Sequence, residues 1–247
     1  MAKPKTCQLP CSVSEAIAGI VVKLLLILTH SLHLTREQPM PESMGLLEAI
    51  YTTRAIRKFT NEPVPPELLR KVLEAATQAP SGINRQPWRF IILENSKTRR
   101  KVADLYRAGY MENRKPDLAE AERNPSVYLA MHLVEAPVLI VVCGLMPPGN
   151  RSRIDPLLMT PPGVYAATQN LLLAARAFGL GGTMTTNHRW RESDLRELLG
   201  VPEPHEILGI IPLGYPAEKH GPKTRQLVER VTFRDYWDIP ITFPLPS

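Results

Sequence analysis

Cysteine is scarce in this chain, with three among 247 residues, at Cys7, Cys11 and Cys143. An odd count without regular spacing excludes a disulfide framework and fits a reducing compartment. Aromatics make up only 6%, and the 30 lysines and arginines are spread along the chain. A nucleic-acid module would gather its basic residues on one stripe within a recognisable motif. Neither is present, so no nucleic-acid partner is expected.

Several signature motifs are also missing. No GxGxxG follows a strand, which excludes an evident nicotinamide-binding Rossmann unit, and no GxxxxGK[ST] marks a P-loop. There is no GxSxG and no HExxH. No compact Asp/Glu pair offers itself as an acid/base set. Cys7, Cys11, His30 and His33 have the wrong spacing for a zinc finger, with an apolar helix between them, so no metal is expected.

What is present is an ordinary globular composition, 44% hydrophobic and 22% charged, with a net charge of +6. The basicity fits a small anionic ligand as well as a polymer. Residues 1–43 read as an N-terminal extension. Lys3 and Lys5 precede an apolar run, Ala16–Leu28, in the outline of a signal peptide. Lys23 interrupts that run, no small-x-small cleavage site follows, and the run is too short to span a membrane. Ile17, Ile20, Val21, Leu24, Leu25 and Leu28 share one helical stripe, so an amphipathic or buried helix is expected. A membrane-surface anchor is the alternative, and the protein is read as cytoplasmic.

Residues 44–247 read as the main domain. Helices are expected over Met44–Tyr51, Glu67–Gln78, Lys97–Tyr110, Val164–Phe178 (apolar on nearly every side) and Asp194–Leu199, the last capped by Ser193. Strands are expected over Trp88–Leu93, Ala136–Cys143 and Glu206–Leu213, and Gly181–Asn187 reads as a strand followed by a loop. The charged stretch 106–128 reads as a lid-like excursion, or equally as a solvated helical hairpin. The Pro- and aromatic-rich tail 233–247 is expected to wrap over a neighbour.

Four stretches carry the chemistry. Thr53–Phe59 holds Arg54, Arg57 and Lys58 at a helix end or the following turn, where two guanidiniums suit a phosphate. Ala79–Trp88 is an irregular loop whose Ser81, Asn84 and Gln86 can read the polar edge of a planar heterocycle. The stretch Gly181–Asn187 supplies a polar loop. Near the other end, Lys223 and Arg225 lie two apart, and in an extended segment both point the same way. Cation pairs at opposite ends of one domain, with polar loops between them, fit a phosphorylated planar cofactor.

These stretches, with Gly179-Leu180-Gly181 before a strand and Gly214-Tyr215-Pro216, resemble the FMN-dependent nitroreductase family over about residues 44–232. The resemblance implies an α+β fold, a central and mostly antiparallel sheet flanked by helices, assembled as an intertwined homodimer with FMN at the interface. It implies that Arg54 and Arg57 bind phosphate and flavin, and that Lys223 and Arg225 clamp the phosphate. Asn84 would face the isoalloxazine, with Ser81 and Gly82 reaching across from the other subunit. Thr185 and Thr186 match the loop whose backbone N–H approaches flavin N5. Ala55 stands where the family usually has serine, and Thr186 where many relatives have Gly or Glu. The implied activity is hydride transfer from NADPH or NADH through FMN to a small aromatic acceptor, a nitroaromatic or a quinone, by a ping-pong mechanism with no catalytic side chain. Relatives that cannibalise flavin to make dimethylbenzimidazole, or that dehalogenate iodotyrosine, share the fold and give the alternative chemistry. A non-catalytic flavin-binding protein is a further one.

Overall fold

The computed structural model describes residues 44–120, 122–145 and 162–243. The expected N-terminal helix, the Pro-rich loop between strand and central helix, and the last residues of the tail lie outside this range.

The sheet forms because three apolar, β-branched stretches pair antiparallel. They are β1 (Trp88–Leu93), β2 (Val138–Leu145) and β4 (His205–Gly214), and the two-residue β3 (Gly181–Gly182) pairs with β4. The order is β1-β2-β4-β3, so β2 and β4 are central and β1 and β3 form the two edges. Expectation and structure agree on the first three strands. The fourth is shorter than its sequence suggests: after Gly182 only Thr185 returns to the sheet, bridging Ile210.

Both faces of the sheet are covered. One face carries Val138, Ile140, Val142, Ile211 and Leu213, packed under α2 (Pro66–Thr77) and α5 (Pro162–Ala177). The other carries Leu139, Val141, Cys143 and Ile210, packed under α3 (Ser96–Arg114), α4 (Pro125–His132) and α6 (Glu192–Leu199). A register shift between Val142 and Cys143 changes the alternation along β4, so that Ile207 and Ile210 face the same core. The fold is therefore α+β, with helices on both sides of an antiparallel sheet.

Several local expectations differ from the structure. The segment after α1 (Leu46–Thr52) is extended rather than a helix end. Ala55 bridges Gly182 in parallel and Phe59 bridges Pro216. Gly181 permits this, because a Cβ there would stand 2.5 Å from Ile56 Cγ1. The charged helix α3 runs to Arg114, and Asn95 Oδ1 caps its start by accepting the Lys97 and Thr98 N–H groups. The stretch 106–128 is an excursion only in its middle, because Tyr106, Tyr110 and Val127 are buried in the second core. Asn124 caps α4 with Pro125 following it.

The central helix α5 buries one stripe, Gly163, Val164, Ala167, Thr168, Leu171 and Ala175, and leaves Tyr165 exposed. Ser193 lies in the first turn of α6 and does not cap it; Gly200, in the left-handed region at φ 63°, ends that helix. No described helix is long and apolar enough to cross a membrane.

Candidate functional site

The extended segment 53–60 runs along the β3 edge of the sheet. Ile56 N–H donates to Gly182 O at 3.1 Å and Thr60 N–H to Tyr215 O at 2.9 Å. Further along it pairs with the chain leaving β4, where Ala217 N–H donates to Lys58 O at 2.9 Å. Glu218 completes the attachment: its Oε1 accepts from Arg57 N–H at 2.5 Å and Lys58 N–H at 3.3 Å. Gly221 N–H donates to Thr52 O at 3.0 Å. The beginning and the end of the domain are thus sewn together, and their cations meet.

Two cavities open here. One, of about 670 Å³, is lined by Arg54, Ala55, Arg57, Lys58, Tyr128 and Lys223, among others. The other, of about 710 Å³, is lined by Tyr51, Arg54, Ala55, Thr183, Lys223 and Arg225, among others. Both volumes are of ligand size. Arg54, Ala55 and Lys223 border both. The charge is felt locally: the Lys223 ammonium is held below the ordinary lysine range, chiefly by burial and then by repulsion from Arg225, Arg54 and Arg57. Among the described residues none of these four cations forms an ion pair with a carboxylate. Four clustered cations without acidic partners are the chemistry expected of a site for an external dianion.

Thr185 and Thr186 sit on the β3–α6 connection. The Thr185 N–H donates to Ile210 O at 2.9 Å and is therefore spent within the fold. Its hydroxyl lies 2.6 Å from the buried Tyr106 hydroxyl, which also accepts from Asn187 Nδ2 at 3.2 Å. Burial, the largest cause, raises the Tyr106 pKa. Thr186 is exposed, and its carbonyl accepts from Arg189 N–H. Of the two threonines, Thr186 is the one whose N–H is not spent on Ile210.

Ser81, Gly82 and Asn84 are elsewhere. They form a short 3-10 turn before β1, in which Ile83, Asn84 and Gln86 all take positive φ, at 46°, 54° and 47°. Ser81 Oγ accepts from Gln86 N–H at 3.0 Å. Positive φ at a β-branched residue such as Ile83 is a genuine departure from ordinary backbone. This turn meets the N-terminal end of α5, where a Cβ on Gly163 would lie 3.0 Å from Ser81 Cβ. The second cation-bordered cavity touches that helix at Gln169 and Leu172, near its middle. Sixteen residues at 1.5 Å each make α5 about 24 Å long. None of Ser81, Gly82 or Asn84 lines either cation-bordered cavity. Within one chain, the cations come together and the polar turn stays apart.

Sequence reasoning missed Glu218 and Tyr106. No local pattern marks Glu218, whose role depends on pairing with a segment from the other end of the domain. Tyr106 lies in a charged helix, and only the buried stripe of α3 would have drawn attention to it.

The family model described as "Nitroreductase family" matches residues 50–215. A protein of Methanothermobacter thermautotrophicus, named provisionally as an NADH dehydrogenase/NAD(P)H nitroreductase, is 34% identical over 193 residues, covering 75% of this chain and 84% of its own. An iodotyrosine deiodinase of Thermotoga neapolitana is 31% identical over 187 residues, covering 73% and 94%. Among solved structures, an oxidised iodotyrosine deiodinase bound to FMN and 3-iodo-L-tyrosine superposes with a TM-score of 0.59 at 29% identity, over 78% of this chain and 99% of that one.

Proposed function

The chain belongs to the nitroreductase family, and from that premise we propose that it is an FMN-dependent oxidoreductase that takes a hydride from NAD(P)H and passes it to a nitroaromatic or quinone by a ping-pong mechanism. The observation that carries this reading is the meeting of Arg54, Arg57, Lys223 and Arg225 without carboxylate partners among the described residues. FMN, when bound, supplies the two-electron chemistry that no side chain here can.

The residues fit that cofactor in stated roles. Arg54, Lys223 and Arg225 hold the phosphate monoester; a fork of guanidinium donors beside an ammonium suits a dianion. Arg57, further along the extended segment, would serve the flavin's pyrimidine end, where its charge would favour an anionic form. Ala55 brings no hydroxyl, so the phosphate relies on the cations. Thr186 N–H would be the donor toward N5, with Tyr106 holding the neighbouring Thr185 in place. Ser81, Gly82 and Asn84 would reach the site from a second copy of the chain, because within one chain their turn lines neither cation-bordered cavity. The working unit is therefore a homodimer.

A second reading has its own support, since a deiodinase is 31% identical and FMN is bound in a deiodinase structure of the same fold. In that case the substrate is a halogenated aromatic and the reductant is not free NAD(P)H.

The visible spectrum of the purified protein tests for flavin, and mixing with NADPH or NADH in a stopped-flow instrument tests for reduction. Bleaching of the yellow band with either nicotinamide is the expected result. Flavin that stays oxidised with both, while dithionite drives turnover of a halotyrosine, selects the second reading.

A further inference from the structure

Two ammonium groups stand in the first cavity outside the phosphate clamp, those of Lys58 and Lys219. Lys58 is held in place. Its Nζ lies 4.3 Å from the centroid of the Tyr128 ring and 3.3 Å from Glu122 Oε2. The Tyr128 ring is itself stacked on His132, with centroids 4.2 Å apart and planes inclined at 15°. Lys219 is exposed and has no ion pair among the described residues.

The cavity also contains two carboxylates, and they differ. Glu218 is committed to the backbone N–H groups of Arg57 and Lys58. The Glu122 side chain is 71% exposed, so its pairing with Lys58 is of the weak surface kind. A ligand carboxylate can take its place at small cost, while the Tyr128 ring continues to hold the ammonium. Arg54, Arg57, Lys58, Lys219 and Lys223 outnumber the two acids, so a bound dianion still leaves this lining positive. Pro125 and Ile56 add apolar wall beside the charge.

We propose that this cavity selects aromatic electron acceptors carrying an anionic group, a carboxylate or sulfonate, and that Lys58 is the residue that reads that group. The proposal rests on the flavin-dependent reading above and adds the class of acceptor to it.

The test uses the oxidised holoprotein, titrated with 4-nitrobenzoate and with its neutral counterpart 4-nitrobenzyl alcohol. The readout is the perturbation of the flavin's visible spectrum at equilibrium. At low ionic strength the carboxylate should bind about fivefold tighter, and the advantage should shrink at about 0.5 M salt. Lys58→Ala should bring the ratio of the two affinities close to one. Lys101→Ala removes the same charge from an exposed position on α3 and should leave the ratio as it is. Equal affinities in the unmodified protein, or a ratio lowered alike by both substitutions, would overturn the proposal. So would a Lys58→Ala protein that loses affinity for NADP+ and keeps its preference for nitrobenzoate. A protein that takes up no FMN refutes the cofactor reading itself, and that outcome is visible before any acceptor is added.

Discussion

Arg54 and Lys223 come from opposite ends of the domain, border the same two cavities, and repel each other there. Like charges are brought this close at a cost, and an arriving dianion removes it. On the proposed reading, affinity for a phosphate monoester is set mainly by these side chains.

Arg54→Ala and Lys223→Ala should each weaken FMN binding by about 1.5–3 kcal/mol, the range for a hydrogen bond to a charged group. Equilibrium dialysis or fluorescence quenching of free FMN measures this directly. The double substitution should cost less than the two single ones together, because removing one cation relieves the other. Unchanged FMN affinity in both single variants would remove the phosphate assignment.

Gly181→Ala should loosen the same site from a distance. The added Cβ would meet Ile56 Cγ1 at 2.5 Å, and Ile56 anchors the extended segment between Arg54 and Arg57. Overpacking of this kind costs roughly 1–3 kcal/mol. A lowered melting temperature together with weaker FMN binding is the expected pair of results. A melting temperature equal to that of the unmodified protein would show that the segment shifts freely.

His188 makes the fold sensitive to acid. It is fully buried, its Nε2 lies 2.9 Å from Ile207 O, and burial pushes its pKa down to about 4. In the unfolded chain it titrates near 6.5, so between about pH 6.5 and pH 4 the unfolded state holds the extra proton. Stability from this group is complete above that window and lost as the pH falls through it, by about 3 kcal/mol in all. His188→Gln removes the titration and keeps a donor for Ile207 O. Its melting temperature should fall less steeply than that of the unmodified protein between pH 7 and pH 4, and parallel profiles would contradict this.

The elements legible in the sequence were those whose signal is local. Val138–Leu145 and His205–Gly214 are continuous apolar stretches, and the central strands formed there. Pro66 at a helix start and Gly179 and Gly200 in the left-handed region after helix ends were readable one residue at a time. The cation-bearing stretches were visible too, because two charges close in sequence suggest a shared target.

Their conformation was less legible. Nothing local distinguishes a helix end from an edge segment at Thr53–Phe59; what decides it is backbone pairing with Gly182 and, further along, with Ala217. The length of α3 was underestimated because its last turn is charged on the surface while Tyr110 is held in the core.

The amino-acid order alone determined the three long strands, the helices with a clear apolar stripe and the four cations, because each depends on period, turn chemistry or side-chain type within a few neighbours. Tertiary structure alone decided that Arg54, Arg57, Lys223 and Arg225 share one place, that Glu218 ties the two ends together, and that Ser81, Gly82 and Asn84 lie away from them. Those outcomes depend on which segments pair at the β3 edge, and hydrogen bonds between distant parts of a chain leave no mark on either part by itself.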